Sequence, residues 1–145
     1  MLVSLGVTGR SLDAWALVAA TEGWRDELVG YVCRQVAPRI AKLHQRGLVY
    51  RDLYLNHVFA PDPRGDAPPT FLDVERVFAP RWRLQRWIVK DLAGLWASAP
   101  VGSSLRTAVR FLRSYFDGPV RGRRRLLRAI AAKAERVRRH VPRYG

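Results

Sequence analysis

The chain has a single cysteine, Cys33, so it forms no internal disulfide and no Cys-rich zinc site. Its place in an amphipathic pattern marks it as a small buried apolar group. No apolar run reaches the roughly 18–20 residues that a membrane-spanning helix needs. The opening stretch, Met1 to Gly6, lacks the positively charged start of a signal peptide. These absences point to a cytosolic protein. Lysine is scarce, with Lys42, Lys90 and Lys133 the only three among 26 basic residues. Acidic residues are also few, 12 against those 26, which leaves a formal net charge of +14. Such a field favours a polyanion: nucleic acid, an anionic membrane face or a phosphorylated glycolipid. A general bias toward arginine accounts for the excess equally well. No helix-turn-helix and no aromatic base-stacking pattern occurs, so nucleic acid is the weakest of the three partners.

What is present is enough for one packed domain. The 145 residues are 48% hydrophobic, too apolar for a disordered chain. Leu2 to Val7 is a short β-compatible run, and Gly6 and Gly9 bracket a turn. Ser11 is placed to cap a helix that follows it. Gly23 to Arg46 carries Trp24, Leu28, Tyr31, Val32, Val36, Ile40 and Leu43 at helical spacing, and Pro38 inside it predicts a kink or a break. Gly47 ends that helix in the left-handed conformation, and His44 in its last turn is expected to sit against the helix dipole. Leu48 to Tyr50 and Leu55 to Phe59 read as short strands. The proline-rich stretch from Ala60 to Pro69 reads as a turn, and Thr70 to Leu72 as a returning strand. Helices are then expected over 84–98, 103–116 and 121–140, the last with its tail holding ten Lys/Arg against the single Glu135.

Two stretches carry chemistry. Leu43 to His57 places Arg51-Asp52 on a loop after a helix, with His57 five positions beyond the Asp. Phe71-Leu72-Asp73-Val74-Glu75-Arg76 puts a second Asp at the end of an apolar run. A strand-loop-strand of this kind brings Asp52 and Asp73 to one end of a hairpin. The protein-kinase pattern is His-Arg-Asp-Leu-x-x-x-Asn followed by Asp-Phe-Gly. Here Tyr50 replaces the His, His57 the Asn, and Val74-Glu75 the Phe-Gly. With Arg86 to Ala93, these motifs resemble the bacterial lipopolysaccharide inner-core kinases, which act on Kdo or heptose sugars and share a protein-kinase-like fold. The resemblance spans roughly Leu43 to Ser98, about a third of the chain.

The resemblance implies a mainly α (α+β) fold: a protein-kinase-like C-terminal lobe with a short catalytic-loop β-hairpin and no small lobe. Residues 1–10 would form the hinge strand and linker, 11–119 the catalytic core and 120–145 a basic C-terminal helix. It implies ATP with Mg²⁺ (or Mn²⁺) as cofactors. Asp52 would accept or orient the acceptor hydroxyl, and Arg51 would hold its neighbours by hydrogen bonding. Asp73 would bind the metal, joined by His57 or by Asn56. Glu75 would assist or face solvent. Backbone groups of Gly6, Val7 and Thr8 would meet adenine. Asp91 would anchor the catalytic-loop backbone, with Tyr50 beside it. The acceptor would be a lipid A–core glycolipid or another sugar, and the basic final helix would meet it or the anionic inner-membrane surface.

Half of a kinase ATP site is not found. No lysine precedes Lys42, and Gly6-Val7-Thr8-Gly9 is not Gly-x-Gly-x-x-Gly. The expectation is therefore a fragment, with two alternatives: a short protein without ATP turnover, or a lobe completed by another chain. Two rival functions stay open. One is a different small-molecule or Ser/Thr-type kinase, and the other a non-catalytic pseudokinase or basic nucleic-acid-binding module.

Overall fold

The structure is a computed structural model that describes residues 9–100 and 103–139. The run from Leu2 to Val7, with the adenine-contact residues Gly6, Val7 and Thr8, lies outside the described residues. Strand β1 (Arg10–Ser11) leads into α1 (Leu12–Glu22), α2 (Arg25–Tyr31) and α3 (Ala37–Gln45). Strands β2 (Val58–Ala60) and β3 (Thr70–Phe71) follow, then α4 (Leu84–Ala97), α5 (Leu105–Phe116) and α6 (Arg124–Arg139).

Helix α1 starts where Ser11 is extended, and Gly23 closes it at φ 79°. Ser11 does not cap a backbone N–H. Its hydroxyl donates to Asp13, whose Oδ1 accepts the Ala14 N–H at 2.9 Å. Pro38 has no N–H for the carbonyl four residues back, and its ring crowds that carbonyl. The backbone stays helical there and the helix does not break. It widens into a π-turn over Val32–Val36, and α3 resumes with Pro38 in its first turn.

The sheet is antiparallel in the order β1-β2-β3. Arg10 pairs with Ala60, and Val58 with Phe71. Gly9, at φ 101°, lies so close to the β2 end that a Cβ would fall 2.0 Å from the Ala60 carbonyl oxygen. The strand expected from Leu55 begins later. Leu55–His57 forms a 3₁₀ turn first, and the His57 carbonyl accepts the Leu72 N–H at 2.8 Å just before β2 begins. Leu48 to Tyr50 contributes one bridge, Val49 to Phe78, with bonds of 3.0 and 3.1 Å.

The core joins both halves of the chain. Leu12, Tyr31, Val36, Ile40 and Val58 are buried with Leu92, Ala93, Leu112, Ile130 and Ala134. Helix α6 thus shares this core, packing along α4. It begins at Arg124, later than expected, because Gly122 takes φ 87° and turns the chain just before it.

Candidate active site

The loop from Tyr50 to Leu55 is held by one face of α4. Asp91, fully buried, accepts the backbone N–H of Tyr50 at 2.8 Å and of Arg51 at 2.9 Å. Gly94, one turn on, touches the loop so closely that a Cβ would lie 2.8 Å from the Leu53 carbonyl oxygen. Ser98 Oγ accepts the Leu55 N–H at 3.0 Å. These three positions follow the i, i+3, i+7 spacing of a helix face, so a rigid element sets the loop's path.

His44 does not serve the helix end as expected. It is buried, with Nε2 2.9 Å from Asp91 Oδ2 and Nδ1 2.7 Å from the Tyr115 hydroxyl. A carboxylate only accepts, so Nε2–H donates to Asp91. Nδ1 of the neutral ring then accepts the Tyr115 O–H. Burial and the nearby Asp91 charge push the Tyr115 phenol up to about 12. Tyr50 is pushed up to about 12 for the same two reasons, and its ring stacks on Phe71.

A pH dependence follows for Tyr115. Below pH 10 both folded and unfolded states keep its proton. Between pH 10 and 12 the unfolded chain loses it first, so stability falls as pH rises. The slope from this group reaches up to about 1 kcal/mol per pH unit. Urea melts from pH 9 to 12 should show a shallower decline in Tyr115→Phe, which starts from a lower stability at pH 9.

Asp52, His57, Asp73, Tyr50 and Arg76 line one recess with Leu53, Phe71 and Leu72. Asn56, Glu75 and Arg51 do not line it; all three are exposed. Asn56, beside His57 in the 3₁₀ turn, is turned away from the recess that His57 enters. Arg51 holds φ 79°, a strained conformation for a non-glycine residue, secured by the Asp91 bond to its N–H. Its guanidinium bonds to nothing among the described residues, so the positioning expected of that side chain comes from its backbone. Asp73 also has positive φ, 56°, at the head of a 3₁₀ turn over Val74–Arg76. That turn sends Arg76 back toward Asp52.

His57 Nδ1 lies 3.0 Å from the Asp52 carbonyl oxygen, which can only accept, so Nδ1 carries the proton. Nε2 lies 3.5 Å from Asp73 Oδ2, and whenever the ring is neutral it presents a lone pair there. Two electron-pair donors facing each other need a proton or a cation between them. Among the described residues no three His, Cys, Asp or Glu side chains converge on a metal position. His57 Nε2 and Asp73 Oδ2 are the two side-chain donors here that could hold a divalent cation.

Asp52 is the other unusual group. Its Oδ2 is buried and lies 2.9 Å from Arg76 Nη1, yet no aligned hydrogen bond reaches it. The ion pair covers the oxygen without satisfying its lone pairs. Arg76 therefore belongs to the site, although sequence reading gave it no role. The same holds for Tyr115, Gly94 and Ser98, while His44 was expected only at the helix end. Only the regular spacing of Asp91, Gly94 and Ser98 offered a local signal.

A helical lobe that holds an Arg-Asp loop above a hairpin-borne Asp defines a protein-kinase-like fold. The chain belongs to the lipopolysaccharide kinase (Kdo/WaaP) family, whose model matches residues 7–115. It is 31% identical over 139 residues to the lipopolysaccharide core heptose(I) kinase WaaP of Pseudomonas aeruginosa, covering 86% of this chain and 52% of that protein. The namesake from Escherichia coli K12 is 30% identical over 120 residues, covering 77% and 45%. A solved structure described as WaaP in complex with acyl carrier protein superposes with a TM-score of 0.74 at 27% identity, over 90% of this chain and 58% of that one. The chain spans about half the length of the curated relatives it matches.

Proposed function

We propose that this chain carries the catalytic residues of an ATP-dependent kinase that phosphorylates a sugar hydroxyl of the lipopolysaccharide inner core. The names of its relatives favour a heptose over Kdo. The observation that carries the reading is the buried Asp52 Oδ2, without an aligned donor, in the same recess as the His57–Asp73 pair.

His57 Nε2 and Asp73 Oδ2 would hold the metal, which would supply positive charge beside the phosphates. Asp52 Oδ2 takes the hydrogen bond, and then the proton, of the attacking sugar hydroxyl. Arg76 gives up its pairing with Asp52 as the acceptor enters, and its guanidinium is then free for a phosphate oxygen. Asp91 keeps the Tyr50–Arg51 backbone fixed so that Asp52 needs no rearrangement during transfer. For such an acceptor the expected place of work is cytoplasmic, peripheral to the inner membrane.

The test is transfer of labelled γ-phosphate from ATP to lipopolysaccharide core acceptors, with aminoglycosides and a Ser/Thr peptide as competitors. Label on the core sugar from the wild type, and none from Asp52→Asn, is expected. Label on the peptide or the aminoglycoside, with none on the core, contradicts the reading.

A further inference from the structure

Trp82 is 77% exposed, the one aromatic among the large apolar side chains left open by the described residues. It stands between Arg81 and Arg83, both exposed, and Arg86 is exposed one turn into α4. No acidic residue occurs from Val77 to Lys90, and none of these three guanidiniums pairs with a carboxylate among the described residues.

The display is fixed at both ends. Upstream, Phe78 bridges to Val49 and meets the Trp87 ring edge-on at 4.9 Å. Downstream, the Arg83 carbonyl accepts the N–H of Arg86 and Trp87 at the start of α4. A tryptophan held open by a tethered turn is presented to a partner.

More positive charge lies at the same end. Arg138 Nη2 donates to the Trp96 carbonyl, a separation of 42 residues, where α6 packs along α4. That contact joins the last turns of the two helices, so α6, packed along α4, starts toward the α4 start. The exposed Arg124 and Arg125 at the α6 start therefore lie at the α4 end that carries Trp82. The chemistry of the patch is an indole, apolar with one N–H, ringed by weakly hydrated cations. This suits the boundary between anionic head groups and acyl chains, where tryptophan settles and basic residues are attracted.

We infer that Trp82, with Arg81, Arg83, Arg86, Arg124 and Arg125, forms an interfacial anchor that docks this lobe on an anionic lipid bilayer. The turn carrying Trp82 lies between Arg76 of the recess and α4, which holds the catalytic loop, so docking would bring the recess toward the bilayer surface. The inference is separate from phosphate transfer: vesicle binding needs neither Asp52 nor Asp73, so each can fail alone.

The experiment is co-sedimentation of the full chain with phosphatidylglycerol-containing vesicles and with pure phosphatidylcholine vesicles. Binding to the anionic vesicles only is expected. It should fall about tenfold in Trp82→Ser and about a hundredfold in the triple Arg81/Arg83/Arg86→Gln variant, roughly fivefold per basic residue. Asp52→Asn should bind like the wild type. All these positions are solvent-facing or conservatively changed, and matching thermal melts confirm that the variants fold. Equal binding to phosphatidylcholine overturns the inference. So does binding that the arginine changes weaken but Trp82→Ser leaves intact, which marks a general polyanion patch.

Discussion

Asp91→Ala is expected to lower the unfolding free energy by about 3–5 kcal/mol, the usual cost of removing one partner from a buried charged network. The carboxylate is fully buried and accepts from Tyr50 N–H, Arg51 N–H and His44 Nε2. Alanine leaves all three donors without their acceptor. Domains of this size hold roughly 5–15 kcal/mol in total, so the loss is a large fraction. The melting temperature should drop by about 10 °C. Asp91→Asn keeps the shape and one acceptor oxygen, so it should lose about half as much. The strain at Arg51 adds a local signature, because nothing else found here holds its φ of 79°. Amide exchange at Tyr50 and Arg51 should accelerate in Asp91→Asn more than exchange in α1. Uniform acceleration across the fold would show that Asp91 supports the core and not the loop.

The second large effect concerns rate. Asp52→Asn is expected to reduce kcat by about 10²–10⁴-fold, the range lost with a general base. The KM for ATP should change little, because the proposed mechanism gives Asp52 to the acceptor, and His57 and Asp73 to the metal. Stability should change by less than about 1 kcal/mol, since the pairing partner Arg76 is about half exposed. A variant that loses ATP affinity and keeps kcat would reverse the roles assigned to the two aspartates.

The contrast between these residues explains what could be read from the chain. Asp52, His57 and Asp73 lie on short stretches whose order is a motif, and the turn between them is dictated by prolines. Asp91 stands out as a carboxylate on an apolar helix face. The helices follow from periodicity, with errors at their ends: Gly122 delays α6, and a 3₁₀ turn replaces the first half of the strand expected at Leu55. His44 and Tyr115 were not legible as partners because they meet across 71 residues, and nothing in either local pattern marks the other. Arg76 escaped notice for a related reason. Its contact with Asp52 depends on the left-handed backbone at Asp73, which sequence does not signal for an aspartate followed by valine. Pro38 signalled a disturbance, and its form, a π-turn over Val32–Val36, is not one that the missing N–H alone specifies.

The claim on which the rest depends is that His57 and Asp73 hold a metal–phosphate group beside Asp52. Calorimetric titration with Mg²⁺-ATP of the wild type and of Asp73→Asn tests it most directly. The account predicts binding in the wild type and a loss of at least tenfold in the variant, about 1.4 kcal/mol. Binding of equal strength in both proteins, or in neither, would contradict it.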